Sequence, residues 1–456
     1  MTSTHDHPHP TPDAGALVMF GLTGDLGEKK LLPALAELAV ADLLHGPVIG
    51  VGRSEHSDAE LRSLLVDAAG PLAPEVDERL DLHYLQGDST DPDTYSRLDE
   101  RITDTVGEGA EIVVYAALPP DLFGGVAKGI AEAGMSERVR LVVEKPFGHD
   151  AASARELHAA ITEHLPADRL FAVDHFLAKS AVENLHTFRS ANPMIEAAMH
   201  AGVVERVELT MAEAFGVDGR GSFYDPVGAI RDVVQNHLLQ TIAVLLMDPP
   251  ADDSAEAFAA SRARLLDAVR PLDPDAVVLG QYDGYRDIDG VDDDSRTETF
   301  VAAVLEIDDE RWGSVPVAIR TGKELSASYT EAVVRFRGDA NQLRFQLKPE
   351  TTIAVEVGVL DAETHGVRPT TMWACGPSDH GALGDYATML AGALAGDHRH
   401  FAKIDDIVAA WDIVAPILDR DLEPLPYAPG TDGPGAADDL LPGGFTDGPR
   451  QHPSAC

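Results

Sequence analysis

The feature that most constrains the fold is a glycine-bearing turn between a short apolar run and a helical pattern. The apolar run is Ala16–Phe20, the turn begins at Gly21, and the helical pattern covers residues 31–39. A second apolar run follows at 48–51, so the segment has the order strand, turn, helix, strand. Because parallel strands are joined by crossover helices, this order predicts a βαβ unit in a parallel sheet.

Two further apolar runs, at 112–116 and 141–143, are short and rich in valine, which is typical of buried parallel strands. Helical segments lie between them. We therefore predict an α/β, doubly wound, Rossmann-like dinucleotide-binding domain over residues 15–173.

The hydrophobic pattern changes in the second part of the chain, where polar and apolar residues partly alternate in several segments. This pattern predicts a half-solvated antiparallel sheet. The segments are 203–211, 297–305, 315–320, 331–337 and 341–347. With helices at 227–247 and 386–394 covering one face, they predict an α+β domain with a large, mainly antiparallel sheet over residues 174–427.

Both ends of the chain have the composition of disordered tails. Residues 1–14 are rich in His, Pro, Thr and Asp, and residues 428–456 are rich in Gly, Pro and Asp. We expect both segments to lie outside the folded domains.

Charge excludes several classes of partner. The chain has 77 acidic and 35 basic residues, a formal net charge of −42, which repels nucleic acid and anionic membranes. No apolar run approaches the ~20 residues that a membrane span needs, and the first residues lack the pattern of a signal peptide. The two cysteines are too few for a disulfide framework or a zinc site. We therefore predict a cytoplasmic protein without nucleic-acid or membrane partners.

The turn Gly21-Leu-Thr23-Gly24-Asp25-Leu26 opens the first predicted helix. Glycines let a backbone approach a pyrophosphate at a helix N-terminus, although a tight turn without a ligand has the same pattern. At the end of the second strand stands Arg53, where NAD enzymes usually have an acid. A guanidinium pairs with a 2′-phosphate, so Arg53 favours NADP over NAD, unless it is only a surface arginine.

Other polar motifs follow predicted strands or lie on a predicted helix. They are Glu144-Lys145-Pro146-Phe147-Gly148, Asp174-His175-Phe176-Leu177-Ala178-Lys179, Arg231-Asp232-Val-Val-Gln235-Asn236-His237 and Arg320-Thr321-Gly322-Lys323. On an α-helix, Asp232 and Asn236 share a face. A histidine oriented by a carboxylate is a suitable general base near neutral pH, although the local pattern around each histidine fits a structural role equally well.

In this order and spacing, the motifs resemble the glucose-6-phosphate dehydrogenase family over residues 17–418. The resemblance implies NADP-dependent oxidation of D-glucose 6-phosphate at C1 to 6-phospho-D-glucono-1,5-lactone, the first step of the oxidative pentose phosphate pathway. It also implies a homodimer or homotetramer, and no metal is required. The cofactor positions that it implies are Gly21, Thr23, Gly24, Asp25, Leu26, Arg53 and Lys145.

The resemblance also assigns the reacting groups. His237 would take the proton of the C1 hydroxyl, and Asp174 would hold its imidazole. His175 and Lys179 would bind the 6-phosphate, Lys145 would bridge substrate and cofactor, and Pro146 would follow a cis peptide bond. The remaining sugar ligands that it implies are Glu213, Asp232 and Lys323.

The sequence departs from the family pattern at Phe176, where tyrosine is common, and at Ser180, where glutamate is common. Loss of the tyrosine hydroxyl removes a hydrogen bond to the phosphate, about 1–2 kcal/mol of binding. The alternatives are therefore a dehydrogenase that acts on another sugar phosphate or a free sugar, and a non-catalytic sensor of NADP or sugar phosphate.

Overall fold

The predicted βαβ unit forms as the sequence indicates. All five residues of Ala16–Phe20 are buried, and this strand pairs in parallel with Val48–Gly52 on one side and Ile112–Ala116 on the other. Apolar side chains on both faces of the strand explain why helices cover both sides of the sheet.

This computed structural model describes residues 11–76, 79–338, 340–375, 383–420 and 422–450. They form two compact units. The first contains the described parts of residues 1–179, 250–259 and 381–408, and the second contains those of 180–249, 260–380 and 409–456. The predicted boundary at 173/174 stays a prediction.

The strands in the described part of the chain are β1 (Ala16–Phe20), β2 (Val48–Gly52), β3 (Leu82–Gln86), β4 (Ile112–Ala116), β5 (Val139–Val143), β6 (Leu170–Val173), β7 (Val204–Ala212), β8 (Val277–Tyr282), β9 (Phe300–Leu305), β10 (Val317–Gly322), β11 (Tyr329–Phe336), β12 (Gln342–Lys348), β13 (Thr352–Leu360), β14 (Val367–Cys375), β15 (Phe401–Ala402) and β16 (Leu425–Tyr427).

The α-helices of the same residues are α1 (Leu32–Val40), α2 (Asp58–Ala69), α3 (Ala73–Val76), α4 (Pro92–Val106), α5 (Phe123–Glu132), α6 (Ala151–Thr162), α7 (Ser180–Ala191), α8 (Pro193–Glu196), α9 (Gly221–Tyr224), α10 (Leu239–Leu246), α11 (Ala255–Ala268), α12 (Asp385–Ala395) and α13 (Ile404–Leu418). Two π-helical segments, Gly27–Leu31 and Ile230–Leu238, lead into α1 and α10.

The first unit contains a seven-stranded sheet in the order β15-β6-β5-β4-β1-β2-β3. Its strands are parallel except β15, which pairs antiparallel with β6. The strand order reverses direction next to β1, where doubly wound sheets bind their ligands. The prediction of a Rossmann-like domain is confirmed.

The second unit contains a nine-stranded sheet in the order β14-β13-β12-β11-β7-β10-β9-β8-β16. Two neighbouring pairs, β7 with β10 and β8 with β16, are parallel, and the others are antiparallel. The five alternating segments of the sequence become β7, β9, β10, β11 and β12. The prediction of a large, mainly antiparallel sheet is confirmed.

The prediction that the helix at 386–394 covers the second sheet is wrong. It forms α12, and its buried side chains belong to the core of the first unit. The carbonyl groups of Ala393 and Leu394 at its end accept hydrogen bonds from the Arg140 guanidinium of β5. The apolar stripe of a helix predicts burial, but it does not specify which sheet the helix covers.

The prediction of a disordered tail at 428–456 is wrong for the described residues 428–450. The buried Arg206 donates to the carbonyl groups of Pro442 and Gly444 at 2.6 and 3.0 Å. The buried Arg344 donates to two further carbonyl groups of the same segment. A buried guanidinium needs several acceptors, and backbone carbonyls supply them whatever the side-chain composition.

The prediction of a disordered tail is also wrong for Asp13 and Ala14. Residues 1–10 of the predicted tail at 1–14 lie outside the described residues. Asp13 accepts hydrogen bonds from the Arg140 guanidinium at 2.6 and 3.0 Å, and Ala14 is buried. The ion pair with Arg140 thus orders residues whose composition predicts disorder.

Candidate active site

The turn after β1 is the first part of the candidate site. Gly21 has a φ of +75°, and a Cβ atom there would lie 2.4 Å from the carbonyl oxygen of Ala117. The N–H of Gly24 donates to the carbonyl of Gly21 at 2.9 Å, which closes the turn. The conformation and the close approach both require glycine at position 21, so the backbone itself shapes this surface.

A cavity of about 550 Å³ opens beside this turn in the first unit. Four of the predicted cofactor residues line it, namely Gly21, Thr23, Gly24 and Arg53. The other walls come from the ends of β2, β3 and β4, and they include Ser54, Asp88, Ser89, Thr90, Leu118, Pro119 and Leu122. The position at the carboxyl ends of parallel strands is typical of a dinucleotide site.

Arg53 stands at the rim of this cavity, exposed to solvent. Its carbonyl group accepts a hydrogen bond from the Gln86 side chain at 3.1 Å, and the next carbonyl, of Ser54, accepts from the Tyr84 hydroxyl at 2.6 Å. These two bonds fix the backbone while the guanidinium stays exposed. An exposed cation at this rim fits the 2′-phosphate of NADP.

Three predicted cofactor residues do not line the cavity. Asp25 is exposed and pairs with Lys29 at 2.5 Å. Leu26 packs against the apolar core of the first unit, and Lys145 follows β5. Their roles toward the cofactor stay predictions.

The segment after β5 contains a half-buried acid, Glu144, to which the sequence analysis gave no role in the site. Glu144 accepts hydrogen bonds from the hydroxyl groups of Tyr115 and Tyr386, and burial raises the pKa of its carboxyl group. The next peptide bond, Lys145-Pro146, is cis, as the family resemblance implies. Tyr115 lies within an apolar strand and Tyr386 lies 242 positions from Glu144 in sequence numbering, so no local pattern connects the three residues.

The segment after β6 holds the predicted phosphate ligands of the first unit. The carboxylate of the buried Asp174 accepts from the N–H of Phe176 at 3.0 Å, which forms a tight turn. His175 packs edge-on against Phe176, with ring centroids 5.1 Å apart. The Lys179 ammonium lies 5.0 Å from the centre of the Phe176 ring and pairs with Asp385.

The second unit places Lys323 and Glu213 together for a topological reason. β7 and β10 are parallel neighbours, with Ala212 opposite Gly322 at their carboxyl ends. The next residues, Glu213 and Lys323, therefore emerge side by side, and their charged groups lie 2.6 Å apart. This pairing was not evident from sequence because the two residues belong to distant segments.

Asp232 completes a group of three charges, which we call the lysine cluster (Lys323, Glu213 and Asp232). Its carboxylate lies 3.8 Å from the Lys323 ammonium. The Lys323 side chain is 6% exposed, whereas those of Glu213 and Asp232 are 33% and 34% exposed. The cation is thus buried, and its two carboxylates reach the surface where a polyhydroxylated ligand can bind.

The segment with Asp232 and His237 is π-helical and not α-helical as predicted. In a π-helix the hydrogen bonds join residues i and i+5, and the wider turn brings His237 closer to the face of Asp232 than an α-helix would. The Asn236 side chain turns back to the backbone, where it donates to the Arg231 carbonyl at 3.0 Å. The shared face of Asp232 and Asn236 stays a prediction, and π-helical turns are frequent at functional sites.

His237 itself is buried, and its carbonyl group accepts from the Thr241 hydroxyl at 2.7 Å. The predicted partner Asp174 belongs to the other unit, so its action on the His237 imidazole stays a prediction. Two further buried residues near the lysine cluster were missed. The Tyr224 ring lies 5.0 Å from the Lys323 ammonium, and the Glu298 carboxylate accepts from the N–H of Ile230 at 2.9 Å.

None of the helices in the described part of the chain is long and apolar enough to cross a membrane.

Two family models match consecutive parts of the chain. Residues 18–184 match the model described as glucose-6-phosphate dehydrogenase, NAD binding domain. Residues 186–444 match the model described as glucose-6-phosphate dehydrogenase, C-terminal domain.

Individual relatives agree with the family models. A glucose-6-phosphate 1-dehydrogenase 1 from Mycobacterium tuberculosis is 38% identical over 446 residues, covering 94% of each chain. A glucose-6-phosphate 1-dehydrogenase from Bacillus subtilis is 32% identical over 474 residues, covering 93% of this chain and 96% of the other.

A crystal structure of glucose-6-phosphate 1-dehydrogenase from Mycobacterium avium has a TM-score of 0.87 and 35% identity, covering 98% of this chain and 100% of that one. A glucose-6-phosphate dehydrogenase in complex with its substrate glucose-6-phosphate has a TM-score of 0.89 and 29% identity, covering 96% and 99%.

Proposed function

The chain belongs to the glucose-6-phosphate dehydrogenase family, and we propose that it oxidises D-glucose 6-phosphate at C1 with NADP. The product is 6-phospho-D-glucono-1,5-lactone, and the reaction is the first step of the oxidative pentose phosphate pathway. The observation that carries this proposal is the lysine cluster, a buried cation with two partly exposed carboxylates, joined through Asp232 to the π-helical segment of His237.

NADP fits the first unit. The glycine turn offers backbone N–H groups to a pyrophosphate, and Arg53 at the cavity rim offers a cation to the 2′-phosphate. When bound, NADP supplies the hydride acceptor. The protein supplies alignment of C1 with the nicotinamide ring and excludes water from it.

The proton of the reaction goes to a side chain of this protein. The C1 hydroxyl must lose its proton as C1 loses hydride, and His237 is the base that takes it. Asp174 orients the imidazole and stabilises its protonated form. As C1 loses its hydride and the C1 hydroxyl group loses its proton, a carbonyl group forms at C1 and the sugar becomes the lactone.

The other binding residues contact different parts of the substrate according to their charge. His175 and Lys179 bind the 6-phosphate, and Lys145 bridges substrate and cofactor. In the lysine cluster, Glu213 and Asp232 accept hydrogen bonds from sugar hydroxyl groups, and Lys323 donates to the sugar or its phosphate. The ion pairs of the cluster hold these groups in place before the substrate arrives, which lowers the entropy cost of binding.

The protein is a homodimer or homotetramer in the cytoplasm. The edge strand β14 supports assembly, because it and its neighbour β13 expose Val367, Met372 and Leu360. A long edge strand with apolar side chains is usually covered by another chain. A Met372→Lys variant is expected to shift the protein toward monomers in light scattering, and an unchanged mass would refute this interface.

The activity is tested by single-turnover reduction of NADP with glucose 6-phosphate in the wild type and in His237→Asn. We expect rapid reduction by the wild type and a rate about 10²- to 10⁴-fold lower in the variant. NADP binding, measured by quenching of protein fluorescence, should be equal in both. His186→Asn is the control for loss of a histidine on a neighbouring helix.

Each alternative function has its own outcome. If the wild type and His237→Asn bind NADP equally and neither reduces it with any sugar, the protein is a sensor and the proposal fails. If the wild type reduces NADP only with another sugar, the substrate assignment fails while the assignment of the base survives.

A further inference from the structure

Lys179, the proposed phosphate ligand, is already paired with a carboxylate. Its ammonium contacts Asp385, the first residue of α12. The two side chains are 29% and 34% exposed, so the pair is reachable from solvent but partly shielded. Both residues belong to the first unit, although 206 positions separate them.

The same turn of α12 contacts the second proposed phosphate ligand. Tyr386 stacks on His175, with ring centroids 6.2 Å apart and an angle of 16° between the rings. Tyr386 also hydrogen-bonds through its hydroxyl group to Glu144. The start of α12 is therefore fixed against the segments that follow β5 and β6, and Asp385 is held beside Lys179.

We propose that Asp385 is a specificity-determining residue whose carboxylate competes with the substrate's phosphate group for the Lys179 ammonium. This inference rests on the proposed function, because it takes Lys179 as a phosphate ligand. Asp385 neutralises the cation in the free enzyme, and the phosphate dianion displaces it on binding. The free energy of the broken Lys179–Asp385 pair is thereby lost from the free energy of phosphate binding.

The competition distinguishes phosphorylated from free sugars. A phosphate group has to displace Asp385, whereas a sugar without phosphate leaves the Lys179–Asp385 pair intact. Asp385 therefore raises the KM for glucose 6-phosphate and leaves the KM for glucose unchanged.

A purely structural role predicts the opposite sign. If Asp385 only positioned Lys179 for the phosphate, its removal would let the ammonium move and the KM for glucose 6-phosphate would rise. The direction of the change in KM thus separates competition from positioning.

The test is steady-state kinetics of Asp385→Asn, with Asp104→Asn as the control. Asp104 is exposed on α4 of the same unit, so the control removes the same charge elsewhere. We expect the KM for glucose 6-phosphate to fall about fivefold in Asp385→Asn. The kcat and the KM for glucose should stay within about twofold of the wild type. An unchanged or raised KM for glucose 6-phosphate overturns the proposal.

A second variant tests whether the effect passes through Lys179. In a Lys179→Ala background, Asp385→Asn should lose most of its fivefold gain, because the contested cation is gone. A gain of the same size in that background overturns competition for Lys179. Thermal melts of all variants identify any that fail to fold, and Asp385→Ser then replaces Asp385→Asn.

Inorganic phosphate keeps this test separate from that of the proposed function. Calorimetry should show that Asp385→Asn binds inorganic phosphate about fivefold more tightly than the wild type. A wild type without glucose 6-phosphate activity refutes the proposed function. Equal phosphate affinity of an active wild type and Asp385→Asn refutes the role of Asp385 alone.

Discussion

The turn after β1 and the lysine cluster form their binding surfaces in different ways. The turn is built from backbone, with glycine at its tightest point and one exposed arginine at its rim. The lysine cluster is built from side chains around a buried ammonium group. A change at Arg53 should therefore affect only the ligand, whereas a change at Lys323 should affect both the ligand and the folded protein.

Loss of the buried cation is expected to have the largest effect. In Lys323→Met, Glu213 and Asp232 lose their shared partner, and the substrate loses a charged donor. We expect kcat/KM for glucose 6-phosphate to fall about 100-fold and the free energy of unfolding to fall by about 1 kcal/mol, because the two carboxylates left without a partner reach solvent. Steady-state kinetics and urea denaturation measure the two effects.

Lys348→Met is the control for the lysine substitution, because Lys348 is exposed at the end of β12. It should leave both quantities near the wild-type values. Normal stability of Lys323→Met with reduced activity would contradict the coupling of ligand and fold in the lysine cluster.

Removal of the exposed arginine is expected to have the next largest effect. In Arg53→Ala, the dissociation constant for NADP should rise about 10- to 100-fold because a charge-assisted contact with the 2′-phosphate is lost. The dissociation constant for NAD and the thermal stability should not change. Fluorescence titration with both cofactors, with the exposed Arg155→Ala as the control, measures this difference.

Equal weakening of NADP and NAD binding in Arg53→Ala would show that Arg53 supports the turn and does not read the 2′-phosphate. The difference between the two regions would then disappear.

A smaller effect is expected at Phe176, whose ring packs against His175 and the Lys179 ammonium. Phe176→Tyr adds a hydroxyl group that can donate to the phosphate. The KM for glucose 6-phosphate should fall about 3- to 10-fold with kcat unchanged. A fall of the same size in the KM for glucose would show that the hydroxyl acts elsewhere.

The smallest effect concerns the buried Glu298, whose carboxylate accepts from the N–H of Ile230 at the start of the His237 segment. Burial raises its pKa above the ordinary value, so the folded state favours the protonated form. Stability from this group is therefore present at low pH and is lost as pH rises through its pKa in the folded protein.

Glu298→Gln keeps the acceptor and cannot ionise. Relative to the wild type, its Tm should be about 2–4 °C higher near pH 8 and nearly unchanged near pH 5. The exposed Glu163→Gln should show no such pH dependence. An equal shift at both pH values would mean that Glu298 is not protonated preferentially in the folded state.

The sequence predicted those parts of the fold and the site that are formed by residues close together in the chain. The predictions of β1, β2, β4, β5 and the glycine turn are confirmed. A strand that is buried on both faces consists almost entirely of apolar residues, so it can be recognised from composition. The cavity beside Gly21, Thr23, Gly24 and Arg53 follows from the same rule about strand ends.

Contacts between distant segments could not be predicted in this way. The Lys179–Asp385 pair, the Glu144–Tyr386 contact and the anchoring of the carboxyl-terminal segment by Arg206 each join residues without a shared local pattern. The π-helical form of 230–238 was also missed, because its apolar positions fit an α-helix nearly as well.

The most direct test of the account is a measurement of kcat/KM for glucose 6-phosphate, glucose and other hexose phosphates, each with NADP and with NAD. The absorbance of the reduced nicotinamide reports the rate. The account predicts the highest value for glucose 6-phosphate with NADP. No reduction with that pair, together with turnover of another sugar, would contradict it and make the departures at Phe176 and Ser180 the basis of a different specificity.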